Sequence, residues 1–264
     1  MKKKRITAAL LALGLSAVTI CSQLPVFAAE ETAQATDTAA QPQTADPSVV
    51  TTNGIDGWPQ ASDISSTAAI VMETSTNTVL YSKNADQALY PASAVKVMTC
   101  LVALENSSLD DQVTMTATGV SGVTDGGANI SSQLDEVFTM EQCLYAIMVA
   151  SANDIALQVA EHVGGSVDAF VQTMNTRAQE LGCTNTVFTN PTGLPDENQH
   201  ITAHDMALIM EAAMANKTFR TIAATTSYTL PATNVSGGER VLTNSFTMIN
   251  NASDGYYEPC IGGK

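Results

Sequence analysis

Apolar and polar positions alternate between two rhythms along this chain, and the rhythms predict its elements. Ala68-Ala69-Ile70-Val71-Met72 is a short apolar run, Ser75-Thr76-Asn77 supplies turn residues, and Thr78-Val79-Leu80-Tyr81 returns, which predicts a β-hairpin. After Pro91, Val95, Val97, Met98, Leu101, Val102 and Leu104 predict a helix running to about Asn106. Val113 to Thr116 reads as a short strand, and residues 119–133, rich in Gly and Ser, as loop. Thr139 is placed to cap a helix over Met140–Met148, Ser151-Ala152-Asn153 interrupts, and Asp154 to Val163 resumes until Gly164-Gly165. Ser166 caps a further helix ending near Gly182. Phe188 to Asn198 is loop, with Asn190-Pro191 and Thr192-Gly193 as turn signals. Ala203–Ala215 is helical again, and Ser227–Leu230 and Arg240–Thr243 read as strands. Strands, then helices, then strands predict an α/β (α+β) fold: an antiparallel sheet built from the chain ends, flanked by helices, with an all-helical lobe inserted.

The first 56 residues follow neither rhythm. Met1-Lys2-Lys3-Lys4-Arg5, an apolar run from Ile6 to Ile20 and then Val26-Phe27-Ala28-Ala29 form a charged region, an apolar region and a small-residue cleavage site. Together they predict a secretory signal peptide cut after Ala28. Ser22, Gln23 and Pro25 interrupt the run too early for a membrane span, and bulky Ile20 before Cys21 argues against a lipoprotein. Residues 29–56, rich in Ala, Thr, Gln, Asp and Pro, predict a disordered linker. Residues 57–264 then form one sizeable domain. Removing four basic leader residues and no acidic ones takes the formal charge from −15 to −19. Such a surface repels nucleic acid and anionic membranes. Cys100, Cys143, Cys183 and Cys260 are sparse and lack C-x-x-C pairing, so buried thiols are expected over a disulfide framework.

Candidate chemistry sits at the head of the first predicted helix. Ser93-Ala94-Val95-Lys96 places a hydroxyl and an amine three residues apart, on one helical face. A serine hydroxyl needs a base within hydrogen-bond reach, and a Lys among apolar neighbours loses its proton more readily. Alone, the tetrapeptide also fits a capping Ser followed by a solvated Lys. Ser151-Ala152-Asn153, between two helices, can aim a hydroxyl and an amide into a cleft, although Ser151 and Asp154 also fit a capping box. Ser-x-Asn recurs at Ser75–Asn77 and Ser82–Asn84, where turn chemistry explains it. The sequence ends Cys260-Ile261-Gly262-Gly263-Lys264, and no Lys-Thr-Gly occurs in it.

In this order the three features resemble the penicillin-recognising serine enzymes, whose set is Ser-x-x-Lys, Ser-x-Asn and Lys-Thr-Gly. Tyr90-Pro91-Ala92-Ser93, Ala150-Ser151-Ala152-Asn153-Asp154, Ala160-Glu161-His162, Glu180-Leu181-Gly182-Cys183-Thr184-Asn185-Thr186 and Asn190-Pro191-Thr192-Gly193-Leu194 narrow it. They resemble D-alanyl-D-alanine carboxypeptidases of the low-molecular-mass penicillin-binding type, over roughly residues 57–264. The resemblance implies a β-lactamase/transpeptidase-like fold and a serine peptidase that needs no cofactor or metal. Its substrate would be a peptidoglycan stem peptide ending D-Ala-D-Ala, and β-lactams would be covalent inhibitors. Ser93 would be the nucleophile, Lys96 the general base and Ser151 a proton relay. Asn153 would hold Lys96 and the substrate, and Lys264 would meet the substrate carboxylate. Ala152 stands where many members carry Gly. The rest of the third motif, the last core strands, the closing helix and any anchor are expected to follow Lys264, so the sequence reads as a truncated one.

Three rival readings remain at this point. A class A-like β-lactamase would need a downstream Glu, and Glu197 lies in a plausible loop. A non-catalytic cell-wall binding homologue would keep the fold with a dead site. A metal enzyme would use His200 and His204 on one helical face, but His200 precedes the helix start and no Glu stands between them.

Overall fold

The computed structural model describes residues 64–123 and 127–264. The leader (1–28) and the linker (29–56) lie outside the described residues. Strand β1 (Ala69–Glu73) pairs antiparallel with β2 (Thr78–Lys83), with a bulge between Val71 and Met72. Asn77 turns the hairpin at φ 54° and Asn84 leaves it at φ 46°, the left-handed region that Asn tolerates, so both upstream Ser-x-Asn tripeptides are turn chemistry.

Helix α1 (Val95–Asn106) is the hub of the core. Every residue from Val95 to Ala103 is buried, because helices pack round it on all sides. Strand β3 (Gln112–Thr114) follows, then the short α2 (Ala117–Ser121), then β4 (Val137–Thr139), which pairs antiparallel with β3. Helix α3 (Met140–Val149) starts on the expected cap: Thr139 accepts from Gln142 N–H while the Gln142 side chain accepts from Thr139 N–H. Helix α4 (Asn153–Gly164) ends at Gly165, φ 73°, and Ser166 caps α5 (Val167–Glu180) through Ala169 N–H. Helices α6 (Ala203–Ala215) and α7 (Lys217–Ala223) lead into β5 (Ser227–Leu230) and β6 (Arg240–Thr243), an antiparallel pair.

The mixed, antiparallel fold class holds, with three differences of detail. The chain-end strands do not share one sheet among the described residues: β1 packs against α6, whereas β5 and β6 pack against α3. Helix α2 occupies the start of the segment read as loop, where Thr116 caps it through Thr118 N–H. Strand β4 and helix α7 have no sequence signal of their own. One is three residues long, and the other is set by Asn216, which accepts from Thr218 and Phe219 N–H. All four described cysteines are free thiols: Cys100 and Cys143 buried, Cys183 and Cys260 partly so. Among the described residues no helix is long and apolar enough to cross a membrane.

Candidate active site

Ser93 lies in a single 3-10 turn, Ala92–Ala94, that feeds directly into α1. It caps nothing, since the α1 N-cap is Ala94 and has no side-chain cap bond. Ala92, just before it, is held at φ 48°, a conformation that costs a non-glycine residue roughly 1–3 kcal/mol and marks sites where neighbours over-determine the backbone. Here the neighbour is Gly193, φ 82°, packed so tightly that a Cβ would stand 1.9 Å from the Ala92 carbonyl oxygen. Only glycine fits there.

Lys96 is fully buried, deeper than its apolar flanks alone suggested. Its Nζ lies 3.3 Å from Ser93 Oγ, 2.7 Å from Asn153 Oδ1 and 2.5 Å from the Thr192 carbonyl oxygen. The last two can only accept. A neutral amine has two hydrogens and one lone pair; if Asn153 and Thr192 take both hydrogens, the lone pair faces Ser93. Burial is the main cause pushing the Lys96 pKa down to about 7, and the nearby Lys264 ammonium pushes the same way. An amine so placed can give up its proton near neutrality.

Ser151 Oγ stands 3.0 Å from Ser93 Oγ. The capping-box alternative for this residue does not hold: the α4 N-cap is Ala152, and Ser151 sits in the turn before it at φ 58°. Asp154 turns the other way. Its buried carboxylate accepts from Ile130 N–H, Ser132 N–H and Ser132 Oγ, tying the 130–132 segment to the head of α4. Asn153, also buried, donates its N–H to the Ala128 carbonyl at 2.8 Å.

Lys264 reaches the same neighbourhood from the other side. Its Nζ donates to the carbonyls of Ile147 (3.2 Å) and Met148 (3.0 Å) in the last turn of α3, just before Ser151. A cation there complements the helix dipole. Burial lowers its pKa to about 8. The tail that carries it is docked by Gly263, whose N–H donates to the Ala223 carbonyl and whose Cα lies against the Phe246 ring.

In the sequence, Thr192 signals only a turn. Its role is visible only in three dimensions, although the turn itself is legible: Asn190 Oδ1 accepts from Thr192 N–H, Thr192 Oγ1 and Gly193 N–H, and this shapes the loop that points the Thr192 carbonyl at Lys96. The two histidines of the metal reading stay apart. His200 sits in an isolated bridge opposite Val187, whereas His204 lies on α6 and faces Asp86 at 3.4 Å. Glu197 is exposed, with no hydrogen bond to Ser93 or Lys96.

Residues 56–256 match the family model described as D-alanyl-D-alanine carboxypeptidase. The chain belongs to that family. A D-alanyl-D-alanine carboxypeptidase of Bacillus subtilis, DacF, is 38% identical over 147 residues, covering 54% of this chain and 37% of the relative. DacB2 of Mycobacterium tuberculosis is 34% identical over 200 residues, covering 74% of this chain and 64% of its own length. A crystal structure of a D-alanyl-D-alanine carboxypeptidase from Mycobacterium tuberculosis superposes with TM-score 0.70 at 31% identity, covering 79% of this chain and 75% of that one. The chain thus spans between about a third and two thirds of the length of these curated relatives.

Proposed function

We propose that the protein is a serine-type D-Ala-D-Ala carboxypeptidase that removes the terminal D-Ala from peptidoglycan stem peptides. The observation that carries this reading is the buried Lys96 amine, held by Asn153 and Thr192 with its remaining valence toward Ser93. Ser93 Oγ attacks the carbonyl carbon of the penultimate D-Ala while Lys96 takes its proton. The negative oxygen that forms is met by the Ser93 N–H, at the open end of the turn leading into α1. Collapse breaks the C–N bond, and the proton passes through Ser151 to the departing amine, leaving an ester on Ser93. Lys96 then draws a proton from water, whose oxygen attacks the ester carbonyl; the bond from that carbon to Ser93 Oγ breaks, Lys96 returns the proton to Oγ, and the shortened peptide leaves as its acid. Lys264 supplies positive charge for the terminal carboxylate of the substrate. A β-lactam enters the same first step and stays as an acyl group on Ser93.

The family membership, the three-way hydrogen bonding of Lys96 and the strained placement of Ser151 all support these roles. A β-lactamase reading would want a carboxylate aimed at the deacylating water, and exposed Glu197 offers none at the Ser93–Lys96 pair. The leader sequence supports export, with residues 57–264 as the peptidase domain acting on the cell-wall side of the membrane.

The test is covalent labelling of the full-length protein with a fluorescent penicillin, alongside D-Ala release from a tripeptide ending D-Ala-D-Ala. Wild type labels and releases D-Ala; Ser93→Ala does neither. Labelling that persists in Ser93→Ala would remove Ser93 as nucleophile, and rapid multiple turnover of a chromogenic cephalosporin would favour a β-lactamase.

A further inference from the structure

The chain from Gly127 to Ser132 lies against the head of α4 and backs the amide that holds Lys96. Asn153 N–H donates to the Ala128 carbonyl, and the Asp154 carboxylate accepts from Ile130 N–H, Ser132 N–H and Ser132 Oγ. A Cβ on Gly127 would stand 2.5 Å from Asn153 Nδ2, so backbone abuts one end of the amide while the other end, Oδ1, meets the Lys96 amine.

This wall is held from outside. Ser131 (φ 56°) and Asp135 (φ 62°) both sit in the left-handed region, which a residue with a Cβ keeps only where its surroundings over-determine the backbone. The surroundings are the β5–β6 hairpin. Arg240, the first residue of β6, divides its guanidinium between two acceptors: Nη1 donates to the Ile130 carbonyl at 3.2 Å, and Nη2 to the fully buried Glu136 carboxylate. Its guanidinium carbon lies 5.2 Å from the centre of the Phe138 ring. Glu136 also accepts from Thr233 Oγ1 at 2.6 Å and Gln133 N–H at 3.0 Å.

Ile130 is thus gripped on both sides, its N–H by Asp154 next to Asn153 and its carbonyl by Arg240. A buried ion pair often adds little net stability over apolar residues of the same volume. What the planar fork of an arginine does supply is two acceptors held at a set spacing, which a single ammonium cannot match.

We infer that Arg240 is a positioning residue for acylation: by spanning the Ile130 carbonyl and the Glu136 carboxylate it sets the wall, and through the wall it keeps the Asn153 amide on Lys96. The inference rests on the serine peptidase reading and adds to it a residue outside the three motifs.

Arg240→Met alone would strand the buried Glu136 charge and endanger the fold. Two other variants of the full-length protein avoid this. Arg240→Lys keeps a cation for Glu136 but has no second arm for Ile130, and Arg240→Met/Glu136→Gln removes both charges. With folding checked by circular dichroism, each should be acylated by fluorescent penicillin about tenfold more slowly than wild type. The lower limb of the pH profile should also move to lower pH. An amide oxygen can only accept and so favours the ammonium form of Lys96, and a slackened wall withdraws it. Thr233→Val loosens the hairpin at Glu136 but leaves Ile130 held, and should lower the denaturation midpoint with rate and limb unchanged. Arg240 variants that lose stability yet keep the wild-type rate and limb would make the residue a brace only and overturn the inference. An equal loss of rate in Thr233→Val would overturn it too. Wild-type protein that takes no label would overturn the serine peptidase reading and the inference with it.

Discussion

Two buried polar clusters in this molecule differ in what they leave open. Asp205, on α6, is buried and has both carboxylate oxygens engaged. Its carboxylate accepts from Thr184 N–H, Asn185 N–H and Thr186 Oγ1, while its own N–H is capped by Thr202. The Thr184–Thr186 stretch is thereby wrapped around one buried acid. Around Lys96 the saturation is incomplete. Asn153 and Thr192 engage two hydrogens of the amine, and the third direction meets a hydroxyl at the surface of the cleft. Burial of a charge without a counter-charge is tolerated in proteins when the group can discharge itself, and the lowered Lys96 pKa is that response. A closed polar cluster holds a fold together, whereas one with an open valence can do chemistry.

The largest test of this contrast is Lys96→Arg. A guanidinium stays protonated, so the variant keeps positive charge and bulk but loses the lone pair. Acylation by penicillin should fall by about 10³-fold, measured by stopped-flow labelling of folded protein; a loss under tenfold would mean that Lys96 is not the base. Asp205→Ala should do the opposite. Stripping the carboxylate from its three donors should lower stability by about 2–3 kcal/mol, read in a denaturant titration, with the acylation rate of the folded fraction unchanged. If that rate fell in step with stability, the two clusters would not be functionally separate.

The smallest effect is the pH profile, and it sharpens the comparison most. Penicillin acylation should rise through about pH 7 as Lys96 discharges. For the peptide substrate, kcat/KM should also fall above about pH 8 as Lys264 loses the charge proposed to bind the carboxylate. Lys264→Met should remove that upper limb and move the lower one upward, because the Lys264 ammonium helps to depress Lys96. The linkage to stability has a definite sign. The unfolded chain binds protons at these lysines up to about pH 10.5, whereas the folded chain releases them near 7 and 8. Between those limits the unfolded state holds more protons, so these two groups favour folding increasingly as pH rises. A peptide profile flat from pH 6 to 9 would contradict both assignments.

Much of the molecule was legible in one dimension because the deciding interactions are local. The Thr139 and Ser166 caps, the Gly165 stop and the Asn77 turn each involve neighbours within a few residues, and each stands where the sequence put it. The pairing of Ser93 with Lys96 follows equally from a three-residue step at the head of a helix. The joining of strands was not legible: β1–β2 and β5–β6 looked like parts of one sheet, but strand pairing is a long-range choice that period-two patterns do not encode.

What surrounds the amine was decided only in three dimensions. Asn153 comes to it across 57 residues and Thr192 across 96, while Ser151 approaches Ser93 across 58. No periodicity reports such distances, because they depend on helices packing round α1 and on Gly193 pressing against Ala92. The chain by itself determined which groups could react. Their burial and mutual approach belong to the packed fold, since desolvation and hydrogen-bond geometry exist only once distant segments have met.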